Sequence, residues 1–396
     1  MIKRLEIQDD GVVKLFSFDD WTGRLSCNIL NPAVVKYDNV FDGLKAEGLI
    51  NDSDRFIYNK PIARSYSAPF KIYIDITDSC QLNCKHCLTK NLNCNHEIGL
   101  DRLKAIADEI SELGVFYVKF GGGEPLLHPS FREAVRYYRS KGIYLSLSTN
   151  GYLVDTDMAL FLRQNQVRTS VSIEGPAQLD QFIRGKGHFE VALNALDCLV
   201  QNGVNTLLRV TLTKYMLNFS YIQELLSIAK EHNTILKISY CRPAGSALDN
   251  KCMIGFEDAD AYQKIVRYLN SDKIRNNVLL DEGMMFFQPT SLDWMLYKGR
   301  ICGAANRSMH INSSGKISPC VFMGTDLLEM DSSYQFGDIS MYWREEVGHT
   351  FRKVRKVPIP NECSKCVRKC KYECLATRLS ASGCFSGKDP NCLFSI

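Results

Sequence analysis

The sequence has no apolar run approaching the 18 residues that a bilayer-spanning helix requires, so no membrane partner is expected. Its opening, MIKRLEIQDDG, reaches acidic residues before the apolar core of a secretory signal could form, and a cytoplasmic location is expected. Neither sign of charge dominates: 48 Lys and Arg stand against 44 Asp and Glu, a net +4. So mild a balance argues against nucleic acid as a partner, because nucleic-acid binders concentrate basic charge on one face. There is no internal repeat and no low-complexity tract. With 45% hydrophobic and 23% charged residues, the chain of 396 residues is expected to fold into two or three globular domains.

Cysteine is plentiful. Sixteen in 396 residues is too sparse for a small disulfide scaffold, and a chain this long does not need such staples. In a reducing compartment clustered thiols bind metal or do redox chemistry. Cys80, Cys84 and Cys87 form one group, and Cys363, Cys366, Cys370, Cys374, Cys384 and Cys392 a second, joined from upstream by Cys302 and Cys320. Cys27, Cys94, Cys198, Cys241 and Cys252 are scattered.

From residue 71 the pattern alternates between strand and helix. KIYIDIT (71–77), YVKFGG (117–122), YLSLSTNG (144–151), RTSVSIEG (168–175), TLLRVTLT (206–213) and ILKISYC (235–241) read as strands. Helices are expected over 100–114, from a Ser130/Glu133 capping box to Gly142, and over 155–165, 189–202 and 218–231. Six such units imply a parallel α/β sheet, either a partial (β/α)6 TIM-like barrel or an open doubly wound sheet, with the site at the C-terminal strand ends. Four segments are expected: 1–69, an N-terminal α+β extension with a hairpin at Asp10–Gly11 and a helix near 34–49; 70–250, the barrel; 251–300, a helical linker; and 301–396, loop-rich and organised by metal.

DSCQLNCKHCL places three thiols on one short loop after the first barrel strand. Three thiolates can hold three corners of a cubane and leave one iron open, whereas a structural zinc site normally closes with a fourth ligand. Spacing alone indicates metal and leaves its identity undecided. GGGEP (121–125), STNG (148–151), VSIEG (171–175) and Arg184 then follow at successive strand ends. With these motifs, residues 71–245 or so resemble the radical S-adenosylmethionine (radical SAM) enzymes. The resemblance implies a 4Fe–4S cluster on Cys80, Cys84 and Cys87, whose open iron chelates S-adenosylmethionine. Reductive cleavage of that cofactor would give a 5′-deoxyadenosyl radical that abstracts a substrate hydrogen. It further implies cofactor contacts from Gly122, Gly123, Glu124, Pro125, Ser148, Asn150, Ser172 and Arg184. His86 reads either as a ring near the adenine or as a solvent-facing loop histidine. Glu174 stands where the family often carries Asp, and Leu179–Asp180 replaces a common His-Asp pair, which puts a role for Asp180 in doubt.

Residues 300–394 or so resemble the SPASM extension of these enzymes, which holds two auxiliary iron–sulfur clusters. By that resemblance Cys302, Cys320 and Cys374 hold the first, and Cys363, Cys366, Cys370 and Cys392 the second. Three residues separate Cys366 from Cys370 where the family usually has five. No cysteine lies between Cys302 and Cys320, so His310 or Cys384 closes the first site, or one iron stays open; a pair of zinc knuckles is the plainer alternative. Cys241, at a barrel mouth, is either a hydrogen-atom donor to a substrate radical or a small buried hydrophobe.

The expected substrate is a ribosomally synthesised precursor peptide, crosslinked through a thioether or carbon–carbon bond, with a flavodoxin- or ferredoxin-type electron donor. Residues 1–69 read as a short peptide-recognition element or as packing over the barrel. The same chemistry on a sugar, aminoglycoside or tetrapyrrole, and a non-catalytic iron–sulfur carrier, are the alternatives.

Overall fold

The computed structural model describes residues 2–9, 12–19, 24–29, 68–89, 94–115, 117–271, 273–274, 277–280, 302–323, 339–344, 350–357 and 374–385. The expected helix near 34–49 and the ligand candidates Cys363, Cys366, Cys370 and Cys392 lie outside them.

Strands β1 (Ile2–Asp9), β2 (Val12–Asp19) and β3 (Arg24–Ile29) form an antiparallel meander. The first pair is the expected hairpin, with Asp9 opposite Val12. The third strand was not anticipated from the sequence.

The central sheet contains β4 (Lys71–Thr77), β5 (Tyr117–Gly122), β6 (Tyr144–Thr149), β7 (Arg168–Ser172), β8 (Thr206–Leu212) and β9 (Ile235–Tyr240), all parallel and in sequential order. Helices α1 (Leu100–Glu112), α2 (Phe131–Ser140), α3 (Thr156–Gln164), α4 (Ala177–Arg184), α5 (His188–Gln201) and α6 (Phe219–Glu231) connect them. The partial barrel expected from the alternation is therefore present. Two helices, α4 and α5, fill the link for which the sequence pattern indicated one. Ser130 precedes α2 as expected, but its side chain makes no capping bond: its backbone (φ −101°, ψ 26°) is outside the β region from which a cap reaches the first turn.

The sheet is wider than the six expected strands. After α7 (Ser246–Asp249) and α8 (Ala259–Leu269), β10 (Val278–Leu280) adds a parallel strand beside β9. At the other edge β11 (Ser308–Ile311) pairs parallel with β4, and β12 (Ile317–Ser318) turns back antiparallel to it. Met309, Ile311 and Ile317 belong to the same hydrophobic core as the barrel strands. Thus the start of the cysteine-rich region is joined to the barrel by backbone hydrogen bonds and shared apolar burial. Helices α9 (Ile339–Arg344), α10 (Thr350–Lys356) and α11 (Leu375–Ser382) follow. Among the described residues no helix is long and apolar enough to cross a membrane.

Side chains on the barrel strands alternate strictly in character. Ile72, Ile74, Ile76, Val118, Phe120, Leu208, Val210, Leu236 and Ile238 are fully buried in the core. The opposite phase, Lys71, Tyr73, Asp75, Lys119, Ser148, Ser172, Arg209, Thr211, Lys237 and Ser239, lines a cavity of about 280 Å³. Parallel strands buried on both faces normally read as unbroken apolar runs, and a closed barrel fills its interior with branched apolar side chains. A polar inner row belongs to an interior that holds a ligand.

Candidate active site

The cavity opens at the C-terminal strand ends, where the cysteine loop, the Gly-Gly-Gly-Glu-Pro turn and the ends of β6, β7 and β9 meet around it. The loop is tied down by backbone bonds. Lys85 N donates to Ile183 O at 2.9 Å, Cys87 N to Cys84 O at 3.1 Å, and Asn250 Nδ2 to Lys85 O at 2.9 Å.

Gly122 and Gly123 set how closely β5 approaches that loop. Gly123 N donates to Thr77 O and Glu124 N to Ser79 O, at 2.9 and 2.8 Å. A Cβ on Gly122, at φ +108°, would lie 2.0 Å from Thr77 O, and one on Gly123 would lie 2.2 Å from Ser79 O. The glycines therefore seat the cluster loop itself against β5. Gly122→Ala is expected to cost about 1–3 kcal/mol in overpacking, with about 1–3 kcal/mol more for its backbone conformation. Urea unfolding of the variant, together with its iron uptake, checks this.

Glu124 is buried. Its Oε2 accepts from Asn150 N at 2.7 Å and its Oε1 from Leu126 N at 3.3 Å, capping the turn that Pro125 begins. A carboxylate offers about four lone-pair sites, so acceptor capacity remains toward the cavity. Burial pushes its carboxyl up to about 7, against the hydrogen bonds from Asn150, Thr149 and Leu126 and the charge of Arg184. A cation placed beside it favours the ionised form. Asn150 Nδ2 donates to Gln81 Oε1 at 3.0 Å and lies 3.9 Å from Cys80 Sγ, while Ser148 Oγ accepts from Arg209 Nη1 at 2.9 Å.

Below the cysteine loop lies a hub that the sequence reading missed. Glu174, fully buried, accepts at Oε1 from His86 Nε2 (2.9 Å) and Arg184 Nη2 (2.6 Å), and at Oε2 from Thr211 N (2.8 Å). Burial would raise its carboxyl, but His86 and Arg184 outweigh burial and hold it down to about 2. Arg184 also donates toward Cys84 Sγ at 3.8 Å, and Glu174 and Cys84 together keep its guanidinium charged despite burial. His86 is thus no solvent-facing histidine: it is 9% exposed, and its Nδ1 is buried with no hydrogen-bond partner among the protein atoms. Asp180, doubtful from sequence, is fully buried: Oδ1 accepts from Glu174 N at 2.8 Å and Oδ2 from His188 Nδ1 at 2.6 Å. The signal available was that VSIEG carries a lone acid in an otherwise uncharged run, and AQLDQFIR places Asp180 four residues before Arg184.

Cys80, Cys84 and Cys87 line the cavity together. Burial raises all three thiols, Cys87 to about 12, and the neighbouring sulfurs raise Cys84 and Cys87 further. A single ion draws its ligands to within about 2.0–2.3 Å of one point. Among the described residues no three His, Cys, Asp or Glu side chains converge in that way. A cubane takes one thiolate per iron and tolerates a wider set. The three-thiol donor set, the orphaned His86 nitrogen and the spare capacity of Glu124 fit a cluster carrying a polar cofactor.

Cys302, Cys320 and Cys374, far apart in sequence, come together: burial raises the Cys320 thiol, and Cys302 and Cys374 raise it further. His310 is not their fourth partner. Its Nε2 meets Asp75 Oδ2 at 2.8 Å and its Nδ1 meets Ser318 Oγ at 3.1 Å, so both ring nitrogens are engaged at the barrel edge. Cys384 is exposed just beyond α11. Cys241 is 3% exposed, lines the main cavity and packs with Cys252 and Ala247; burial pushes its thiol up to about 12. Arg242 stacks on Tyr240 and Phe322, at 4.3 and 4.2 Å from the ring centres, and its charge reaches both Cys241 and Cys320.

The sequence profile of the Radical SAM superfamily matches residues 74–229, and that of the SPASM iron–sulfur cluster-binding domain matches residues 302–367. The chain is a radical SAM enzyme with a SPASM region. Its cofactors are S-adenosylmethionine, a 4Fe–4S cluster and auxiliary iron–sulfur clusters. It is 27% identical over 336 residues to mycofactocin maturase MftC of Mycobacterium tuberculosis, covering 83% of this chain and 84% of that protein. It is 25% identical over 350 residues to the AdoMet-dependent heme synthase of Oleidesulfovibrio alaskensis, covering 81% and 86%. The fold is similar to that of Streptococcus suis SuiB crystallised with its precursor peptide SuiA, with a TM-score of 0.67, 16% identity, and coverage of 91% and 82%.

Proposed function

We propose that this radical SAM enzyme modifies a ribosomally synthesised peptide, forming a thioether or carbon–carbon crosslink. The observation that carries the reading is the likeness to a maturase along 83% of the chain, spanning both the barrel and the SPASM region. Cys80, Cys84 and Cys87 would hold the cluster, which when bound would supply the reducing electron for cleavage of S-adenosylmethionine. The protein's part is placement. Glu124 takes the cofactor's ammonium, while Gly122, Gly123 and Pro125 hold that carboxylate at the rim. Ser148, Asn150, Ser172 and His86 line the cavity, where the three polar side chains would contact the cofactor and the imidazole would lie near its adenine. Arg184, engaged by Glu174 and Cys84, acts on the cluster loop more than on a free carboxylate. Cys302, Cys320 and Cys374 serve one auxiliary cluster, and Cys363, Cys366, Cys370 and Cys392 a second. Cys241, kept as a thiol by burial, stands at the cavity wall where a hydrogen atom can pass to a substrate radical. The β1–β3 meander has strand edges of the kind on which an extended leader peptide adds as a further strand. A flavodoxin- or ferredoxin-type protein in the cytoplasm supplies the electron.

The heme-synthase likeness favours a second reading, oxidation of a tetrapyrrole. One experiment separates them. The anaerobically reconstituted, reduced enzyme is given S-adenosylmethionine with either a short peptide encoded beside its gene or an iron porphyrin, and 5′-deoxyadenosine and substrate mass are followed. A peptide that loses hydrogen while the porphyrin stays intact is the expected result. Porphyrin turnover with an inert peptide would reverse the assignment.

A further inference from the structure

The cysteine loop has two faces. Cys84 and His86 line the cavity, while Lys85 between them does not: its Nζ lies instead over the Phe182 ring, 4.7 Å from the centre. Phe182 stands on α4 and is 48% exposed, the most exposed of the large apolar side chains among the described residues. Tyr215, in the single turn Lys214–Met216 after β8, meets it edge to face with ring centres 5.3 Å apart, and Lys214 Nζ lies 5.3 Å from the Tyr215 ring. Lys251 is brought to the same loop by its neighbours. It is exposed between Asn250 and Cys252, whose side chains both donate to Lys85 O, at 2.9 and 3.4 Å. Burial raises the Cys252 thiol, and the charges of Lys214 and Lys85 pull it back, so the two ammoniums act on one point. Among the described residues no carboxylate lies within ion-pair distance of either. Acids are few on these elements: Asp180 is buried against His188, which leaves Asp249 exposed on α7.

A single exposed ring needs no explanation. This one has an aromatic neighbour, a rim of lysines and, directly behind it, the loop that carries the three thiols. An aromatic centre within a polar rim is the anatomy of a protein interface. Cofactor and substrate occupy the cavity side of that loop, so an electron has to arrive from the other side. We propose that Phe182 and Tyr215, with Lys85, Lys214 and Lys251 around them, form the docking surface for an acidic flavodoxin. The proposal rests on the reading that such a carrier reduces the enzyme. A flavodoxin presents the apolar edge of its flavin within a ring of carboxylates, which matches an aromatic centre inside a ring of ammoniums. Seated there, its flavin has only the cysteine loop between it and the thiols. One electron passes from the anionic flavin hydroquinone, left as the neutral semiquinone, to the oxidised cluster; no bond forms or breaks and no proton moves.

Calorimetric binding of an oxidised, purified flavodoxin to the reconstituted enzyme tests the surface, together with 5′-deoxyadenosine formation driven by flavodoxin hydroquinone or by dithionite. Phe182→Ser and Lys214→Glu are each expected to weaken binding about tenfold, through loss of an interface anchor and reversal of a rim charge. Cleavage driven by dithionite should stay at the wild-type rate. Wild-type affinity should fall as salt rises, because the rim charges are exposed. A carbodiimide, which joins lysine to carboxylate, should link the wild-type pair through Lys85, Lys214 or Lys251. Products confined to other lysines overturn the proposal, whether or not the variants fold. Variants that bind flavodoxin as the wild type does, while flavodoxin drives cleavage, overturn the surface and leave the carrier reading standing. Flavodoxin that neither binds nor reduces, where dithionite works, removes the carrier reading and the surface with it. A ferredoxin that takes the face where flavodoxin fails overturns the flavodoxin assignment. Charge reversal that weakens a substrate peptide and spares flavodoxin gives the face to the peptide instead. Equal loss of dithionite-driven and flavodoxin-driven cleavage with unchanged binding makes these residues supports of the cysteine loop, and overturns the proposal as well.

Discussion

Glu174→Ala is expected to destabilise the barrel by about 3–5 kcal/mol, because it leaves the buried Arg184 charge without its partner. The carboxylate joins β7, the cysteine loop through His86, α4 through Arg184, and β8 through the Thr211 amide. Its pH dependence has a definite sign. Because the folded carboxyl is held down to about 2 from its ordinary 4.5, its contribution is complete above pH 4.5 and is lost as the pH falls toward 2. At about 1.4 kcal/mol per unit that window amounts to about 3 kcal/mol, in line with the cost of breaking the pair. Acid titration of the cluster-free protein should therefore show a shallower loss of stability in Glu174→Ala than in the wild type between pH 4.5 and 2. Glu174→Gln returns one acceptor but no charge, and should fall between the two. If the alanine variant melts within 1 kcal/mol of wild type and keeps the wild-type acid slope, the hub is not structural.

The residues of this hub show where a sequence can be read and where it cannot. The ranges of β4 and β5 are legible to the residue, because β-branched and aromatic residues alternate there and glycine or a polar turn ends each run. The cysteine loop and the motifs at four strand ends are legible for a similar reason: each is local, and their order along the chain mirrors their order around the cavity. Partnerships are different. Nothing local says that Glu174 reaches Thr211 on the next strand, or that His310 meets Asp75 across 235 positions. Strands β10 and β11 are only three and four residues long, too short for periodicity, and exist because an open sheet edge was there to pair with. Helix α4 is only eight residues long, and Asp180 and Ile183 are its buried residues, too few for an apolar period to stand out. The inner row of cations was visible as the polar phase of each alternating strand.

Cys84→Ala should abolish cofactor cleavage while leaving the fold of the cluster-free protein nearly unchanged. The loop around Cys84 is held by backbone bonds that alanine keeps, from Lys85 N to Ile183 O and from Cys87 N to Cys84 O, and by the grip of Asn250 on Lys85 O. What is lost is one of three thiolates on a cluster whose remaining iron must stay open for the cofactor, so no spare ligand replaces it. Reconstituted iron should drop by about four per chain, with the auxiliary irons retained. 5′-Deoxyadenosine should fall to background. Cys94→Ala is the matched control: Cys94 is exposed and outside the cavity lining, so iron and cleavage should both stay at wild-type levels. Thermal melting of the two cluster-free variants separates the roles further, since a merely structural cysteine at 8% exposure would lower the melting temperature and a ligand held by backbone bonds would not. Full iron in Cys84→Ala would remove Cys80, Cys84 and Cys87 as the catalytic set. Retained iron loss with retained cleavage would place the cofactor on one of the auxiliary clusters instead.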